Sequence, residues 1–303
     1  MTFLIPVLFA SSIFAQEEVT FRSSVVQVRV DAQVTENNRP VTGLTKDDFV
    51  IYDEGAIQPL VYFGHEAEPV TVMLLLDVSG SMKRYLEEVG RTARQALGQL
   101  TSRDRAGVMV FSKGTEVFHS FSNRFAEVAR EIEVAVLDAK MPAGTAIYAS
   151  LIDAATEFQK DTSGVQGRRA VLMVTDGSGL NHLVTQDDAV KALSAANAVM
   201  NSIVVGKTRN ARVIPGGNPD FSPSDVFAVA ERTGGEAIRA ERADQAFTEM
   251  IGRLRTRYSL AFALPAAAKP GEFRRLRVEL AATARRRYPR AQIRARTGYQ
   301  LNP

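Results

Sequence analysis

Hydrophobic and polar positions follow two rhythms along the chain. Between residues 26 and 34 the order is Val, Gln, Val, Arg, Val, Asp, Ala, Gln, Val, a period of two that predicts a half-buried strand. Asn37-Asn38 and Pro40 predict a turn. Residues 49–52 and 60–63 predict two short strands around Asp53-Glu54-Gly55. Residues 19–68 therefore read as a small all-β segment, too small for a comfortable domain alone.

After Pro69 strand and helix patterns alternate, as in a parallel sheet with helical crossovers. Residues 72–76 are a continuous apolar run, as expected of a strand covered on both faces. Tyr85, Leu86, Val89, Ala93, Ala96, Leu97 and Leu100 recur at helical spacing and predict a helix from near Ser81 to near Leu100. Residues 106–111 and 116–121 predict an antiparallel hairpin turning at Lys113-Gly114. A helix capped by Asn123 follows, and then a loop over 142–144 leads into a helix reaching Phe158. Residues 169–175 predict a second buried strand ending in Asp176-Gly177. Thr185 is placed to cap a helix running to Met200, with a core strand over 202–205. The connection over 207–223 exceeds ordinary loop length and is a candidate functional segment. Ser224 is placed to cap a helix ending at Gly234-Gly235; a last sheet strand falls at 237–239, and a final helix carries Phe247, Met250, Ile251, Leu254 and Tyr258.

Beyond Ser259 the period returns to two, with Leu276, Val278 and Leu280 facing one way and Arg275, Arg277 and Glu279 the other. The predicted fold is α/β: a doubly wound, mostly parallel, Rossmann-like sheet flanked by helices over 69–255. A small β module forms beside it from the two terminal segments, 19–68 and 256–303.

Composition narrows the chemistry. With 303 residues and no cysteine, disulfides, zinc thiolates and thiol nucleophiles are excluded. The three histidines, His65, His119 and His182, are far apart in sequence. The first fifteen residues are apolar and are followed by Gln16-Glu17-Glu18. They read as a secretory signal cleaved after Ala15, which implies a secreted or periplasmic product without a membrane-spanning anchor. Net charge is +3, yet residues 253–303 carry thirteen Lys or Arg against Glu272 and Glu279, a local +11 that leaves the remainder at −8. Such a split predicts docking of the tail on the body or an acidic outside partner. The aromatic residues Phe273, Tyr288 and Tyr299 are spread too widely for nucleic-acid stacking.

Three places at the carboxyl ends of predicted strands carry oxygen donors: Asp77, Ser79 and Ser81; Thr145; and Asp176. Open α/β sheets place ligands at that edge. Two carboxylates and three hydroxyls suit a hard divalent cation that keeps a position open. The first group by itself would also serve as a helix N-cap. A phosphatase using two aspartates is excluded because Ser79 stands where the second is required. A serine hydrolase lacks both the nucleophile elbow and a placed histidine.

Together, LLLDVSGSM, Gly144-Thr145 and Val174-Thr175-Asp176-Gly177 resemble the von Willebrand factor type A domain with its metal-ion-dependent adhesion site. The flanks GLTKDDFVIYDEG and ARTGYQL are similar to a secreted bacterial subfamily found in acidobacteria. The resemblance implies a non-enzymatic binding protein in which Ser79, Ser81 and Thr145 touch Mg²⁺ (or Mn²⁺ or Ca²⁺) through hydroxyls, and Asp77 and Asp176 act directly or through water. A protein partner's Glu or Asp would complete the coordination. Ala149 stands where relatives often carry aspartate. A different expectation is a structural envelope protein that binds acidic polymers through its basic C-terminal segment.

Overall fold

The computed structural model describes residues 26–65, 68–138, 144–165, 167–206 and 221–301. The expected signal segment, the 142–143 part of the Pro-Gly loop and most of the 207–223 connection lie outside these residues.

The chain is organised around the strand Val70–Asp77, all eight residues of which are buried. It pairs in parallel with Arg105–Phe111 on one side and Arg168–Thr175 on the other. Ala198–Val205 and Ala237–Ala240 extend the sheet in parallel beyond the second neighbour. Thr115–Ser122 closes the other edge as the antiparallel arm of the predicted hairpin. Strand alternation explains why a run without polar residues is needed at the centre. Val70, Val72, Leu74 and Leu76 face a core built with the helices Lys83–Leu97, Phe125–Asp138 and Ala243–Arg255. Met73 and Leu75 face the opposite core, with Ile147–Lys160, Gln186–Ala195 and Val226–Thr233. The fold is thus the expected α/β architecture with helices on both faces. Among the described residues no helix is long and apolar enough to cross a membrane.

The terminal segments build two antiparallel sheets, as their period-two patterns predict. Gln27–Glu36 pairs with Tyr258–Ala263, which pairs in turn with Leu60–Gly64. Phe273–Leu280 pairs with Phe49–Asp53 and with Gly298–Gln300. Val30, Val34, Ile51, Leu260, Phe262 and Val278, drawn from both sheets and both ends of the chain, share one core. Each end supplies strands that the other completes, so neither would be a stable sheet by itself.

Several boundaries move for local reasons. The helix expected to reach Met200 ends at Ala195, because Asn197 adopts φ 51° and the next residues enter the sheet, Ala198 opposite Arg169. The Thr185 cap forms as predicted, with Asp188 completing a reciprocal box. Ser224 is not a cap; Asp225 is, its side chain accepting from Ala228 N at 3.0 Å. Asn123 donates to the Ser102 carbonyl at 3.1 Å and leaves capping to its neighbours. A short 3-10 turn, Gly80–Met82, precedes the helix that was expected to begin near Ser81. The last α/β helix stops at Arg255, and Tyr258 opens a strand, its hydroxyl bridging Val41 O and Leu44 N. Arg285, Arg286 and Arg287 lie on a short helix, Ala282–Arg287.

The charge asymmetry is largely resolved inside the molecule. Arg253 pairs with Glu236 at 2.8 Å, Arg255 with Asp104 at 2.6 Å, Arg274 with Asp53 at 2.7 Å and Arg275 with Glu54 at 3.1 Å. Arg277 pairs with Glu279, and Arg287 with Asp48. The basic tail therefore docks on its own chain's acidic groups.

Candidate functional site

The carboxyl edge of the parallel sheet collects the predicted oxygen donors. Asp77 is the last residue of the central strand and is wholly buried. Its Oδ1 accepts from Ser79 N at 3.0 Å and its Oδ2 from Thr175 Oγ1 at 2.7 Å. The Ser79 and Ser81 hydroxyl oxygens lie 3.4 Å apart, and Ser81 Oγ donates to Asp176 Oδ2 at 2.8 Å. Asp77, Ser79, Ser81 and Asp176 are thus joined into one hydrogen-bonded chain across two loops that are ninety-odd residues apart in sequence.

Local backbone chemistry holds these loops. Asp176 Oδ1 accepts from Ser178 N at 2.8 Å, an Asx turn that pins its carboxylate. Gly177, at φ 73°, turns its N–H back to Thr175 Oγ1 at 3.0 Å; the left-handed backbone there suits glycine. Thr145, half-exposed, is brought to the same edge by its neighbours. Ala146 N donates at 2.7 Å to the carbonyl of Ser112, the residue after Phe111, and Phe111 sits opposite Asp77 in the sheet. On its other side the Thr145 carbonyl is so close to Gly179 that a Cβ there would come within 2.8 Å of it. Thr145 and Ala149 line a cleft of about 430 Å³ with Lys113, Leu180, Asn181 and His182. His182 therefore flanks this cleft.

The electrostatics of the cluster are one-sided. Burial pushes the Asp77 carboxyl up to about 6, against hydrogen bonds from Thr175 and Ser79 that favour its charged form, and the neighbouring Asp176 raises it further. Among the described residues, no group of three or more His, Cys, Asp or Glu could hold a metal ion. The donor set at this edge is two carboxylates with serine and threonine hydroxyls, an all-oxygen chemistry that fits a hard divalent cation.

Two structural contributors were not among the predicted donors. Thr175 stands inside the Val174-Thr175-Asp176-Gly177 run, where only Asp176 was given a role, and its hydroxyl anchors Asp77. Asn181, 2% exposed, accepts from Tyr148 N at 2.7 Å and donates to Ser224 Oγ at 2.9 Å. It ties the start of the Ile147–Lys160 helix to the segment before Val226–Thr233, and nothing in its spacing announces that.

Residues 72–178, within the α/β unit, match the family model of the von Willebrand factor type A domain. Proximal thread matrix protein 1 from the mussel byssus has a similar fold at 14% identity and TM-score 0.51, over 67% of this chain and 51% of that one. A form of it with a zinc-occupied MIDAS motif aligns at 13% identity and TM-score 0.49, over 67% and 49%. This chain thus spans about half the length of the mussel protein. A von Willebrand factor type A protein from Catenulispora acidiphila aligns at 13% identity and TM-score 0.49, over 93% of this chain and 74% of that one. No curated protein sequence matches the chain.

Proposed function

We propose that this is an exported, non-catalytic protein-binding module in which Asp77, Ser79, Ser81, Thr145 and Asp176 hold a divalent cation, Mg²⁺ or alternatively Mn²⁺ or Ca²⁺. The observation that carries the reading is the hydrogen-bonded chain of two carboxylates and two hydroxyls at the carboxyl edge of the sheet, in which Asp176 works against ionisation of the buried Asp77. Carboxylates brought this close repel one another, and a cation between them removes that cost. A bound ion would offer its open coordination position to a Glu or Asp of a protein partner. The cleft beside Thr145, with the exposed Leu180 on its rim, gives such a partner room to approach. The match of residues 72–178 to this domain type, usually a non-catalytic binding module, supports the same reading, and the apolar N-terminal residues support export.

Thermal denaturation with titrated Mg²⁺, Mn²⁺ or Ca²⁺ tests the metal site. Wild type is expected to gain a saturable stabilisation, about 2.7 kcal/mol when the ion is a hundredfold above its dissociation constant. Asp77→Ala is expected to lose that gain together with chelator-sensitive capture of partner protein. A wild-type melting temperature indifferent to all three ions would remove the metal from the proposal.

A further inference from the structure

We propose that the seam between the β module and the α/β domain is a second binding site, a cavity that takes a small tetrahedral oxyanion of the phosphate type. The cavity has a volume of about 210 Å³, and Arg29, Asp31, Arg169, Ser194, Asn197 and Arg296 are among its lining residues. It lies at the amino edge of the parallel sheet, where Arg168–Thr175 and Ala198–Val205 begin, at the opposite end of the strands from Asp77 and Asp176.

The chemistry of the lining is cationic beyond what the protein balances. Arg296 is only 9% exposed, yet its guanidinium reaches neutral acceptors: Asn197 Oδ1 at 3.4 Å and the Arg29 carbonyl. Its Nε is buried without a hydrogen-bond partner. Arg169 likewise donates to a carbonyl, that of Ala196 at 3.1 Å. Arg29 has a carboxylate of its own, Glu68 at 2.9 Å. Behind the cavity Arg168 binds the Arg257 carbonyl at 2.7 Å, and Arg257 binds the Gly234 carbonyl at 2.5 Å. Asp31 is the shared acid: its charge attracts Arg168, Arg257 and Arg296 together, while its Oδ1 is already taken by Ser259 Oγ at 3.0 Å. Burial pushes Arg257 and Arg296 down to about 10 against that attraction.

Guanidinium groups present planar N–H forks that match the oxygens of carboxylates and phosphates. A buried fork with an unused N–H, beside a second arginine held by a carbonyl and the Phe158 ring and by no carboxylate, is a geometry built to receive oxygens from outside. Size limits the ligand. Drug-sized and nucleotide-sized molecules need clefts of roughly 300 Å³ or more, so a single oxyanion suits this cavity better than a phosphorylated metabolite. Its half-exposed lining, Arg29, Arg169 and Ser194 included, leaves a route for a small ion. Bound there, the anion would cross-link Arg296 of the terminal module to Arg169 of the central sheet.

Calorimetric titration of the full chain with inorganic phosphate, at constant ionic strength and with chelator present, reads this site alone, because chelator removes any ion through which phosphate could bind at the carboxyl edge. The expected result is saturable one-to-one binding with a matching rise in melting temperature. Arg169→Gln changes a half-exposed side chain, so the variant should fold normally and bind phosphate at least tenfold more weakly. Asp31→Asn removes the carboxylate that competes for the same guanidiniums and should bind phosphate more tightly than wild type. Absence of saturable binding in wild type, unchanged affinity in Arg169→Gln, or weaker binding in Asp31→Asn would each overturn the proposal.

Discussion

The two ends of the parallel sheet solve opposite electrostatic problems. At the carboxyl edge, Asp77 and Asp176 are gathered with hydroxyls, and Asp176 works against ionisation of the buried Asp77. At the amino edge and in the β module, arginines are buried, and most have found an acceptor within the chain, whether a carboxylate or a row of carbonyls. The difference teaches how to separate a functional site from structural charge in one small molecule. Arg274 and Asp53 form a satisfied pair, with Tyr299 donating to the same carboxylate at 3.1 Å. Asp77 is equally buried but faces another acid. Buried charge alone therefore marks nothing; a buried acid set against a second acid does.

This contrast is broken most severely at Asp53. The Asp53→Ala variant leaves the Arg274 guanidinium, 11% exposed, with only the more distant Glu272 carboxylate at 3.3 Å and removes the acceptor of Tyr299, and the expected loss in chemical denaturation is about 3 kcal/mol, the low end for a broken buried pair. Asp77→Ala in metal-free buffer should cost clearly less, because it also removes repulsion with Asp176. Equal losses in the two variants would mean that the carboxyl edge is held together as firmly as the module and is not waiting for an ion.

A comparable effect is expected at the seam. Gly234 ends the Val226–Thr233 helix at φ 82°, and a Cβ there would sit 2.3 Å from Arg296 N. The Gly234→Ala variant should lose about 1–2 kcal/mol for the left-handed backbone and about 1–3 kcal/mol for the forced contact. Its response to Mg²⁺ should stay that of wild type, since the proposed metal donors are at the other end of the strands. A Gly234→Ala protein that no longer responds to metal would show the two ends to be coupled.

How much of this could be read beforehand follows from what each signal depends on. The central strand, the flanking helices and the two-ended β module are visible in apolar periodicity, because burial on one or two faces is a local constraint on residue type. The ends of elements are less visible. The helix ends at Ala195, and Asn197 stands just before a run, Ala198-Val199-Met200, that would continue it equally well, so only pairing with the neighbouring strand decides the matter. The acid and hydroxyl donors were legible because loops at the carboxyl edge of a parallel sheet converge wherever they fall in sequence. The arginines were misleading for the complementary reason. Thirteen basic residues at one end look like a charged surface until the fold shows Arg274 against Asp53 and Arg255 against Asp104, partners about 150 to 220 residues away.

The mildest prediction concerns pH and sharpens the amino-edge side of the contrast. Burial by itself would raise the Glu68 carboxyl, but hydrogen bonds from Ser259 and Tyr62 and the charges of Arg29 and Arg168 more than offset it, and it lies below its ordinary value of 4.5. Between that lowered value and 4.5 the unfolded chain binds more protons at this residue than the folded one. Stability from Glu68 is therefore complete above the ordinary value and is lost as pH falls through the lowered one. The Glu68→Gln variant should be modestly less stable at neutral pH and should show a shallower fall in melting temperature below pH 4.5 than wild type. Parallel acid profiles for the two proteins would mean that Arg29 and Arg168 are satisfied by carbonyls alone, and that the amino edge carries even more unbalanced positive charge than its ion pairs suggest.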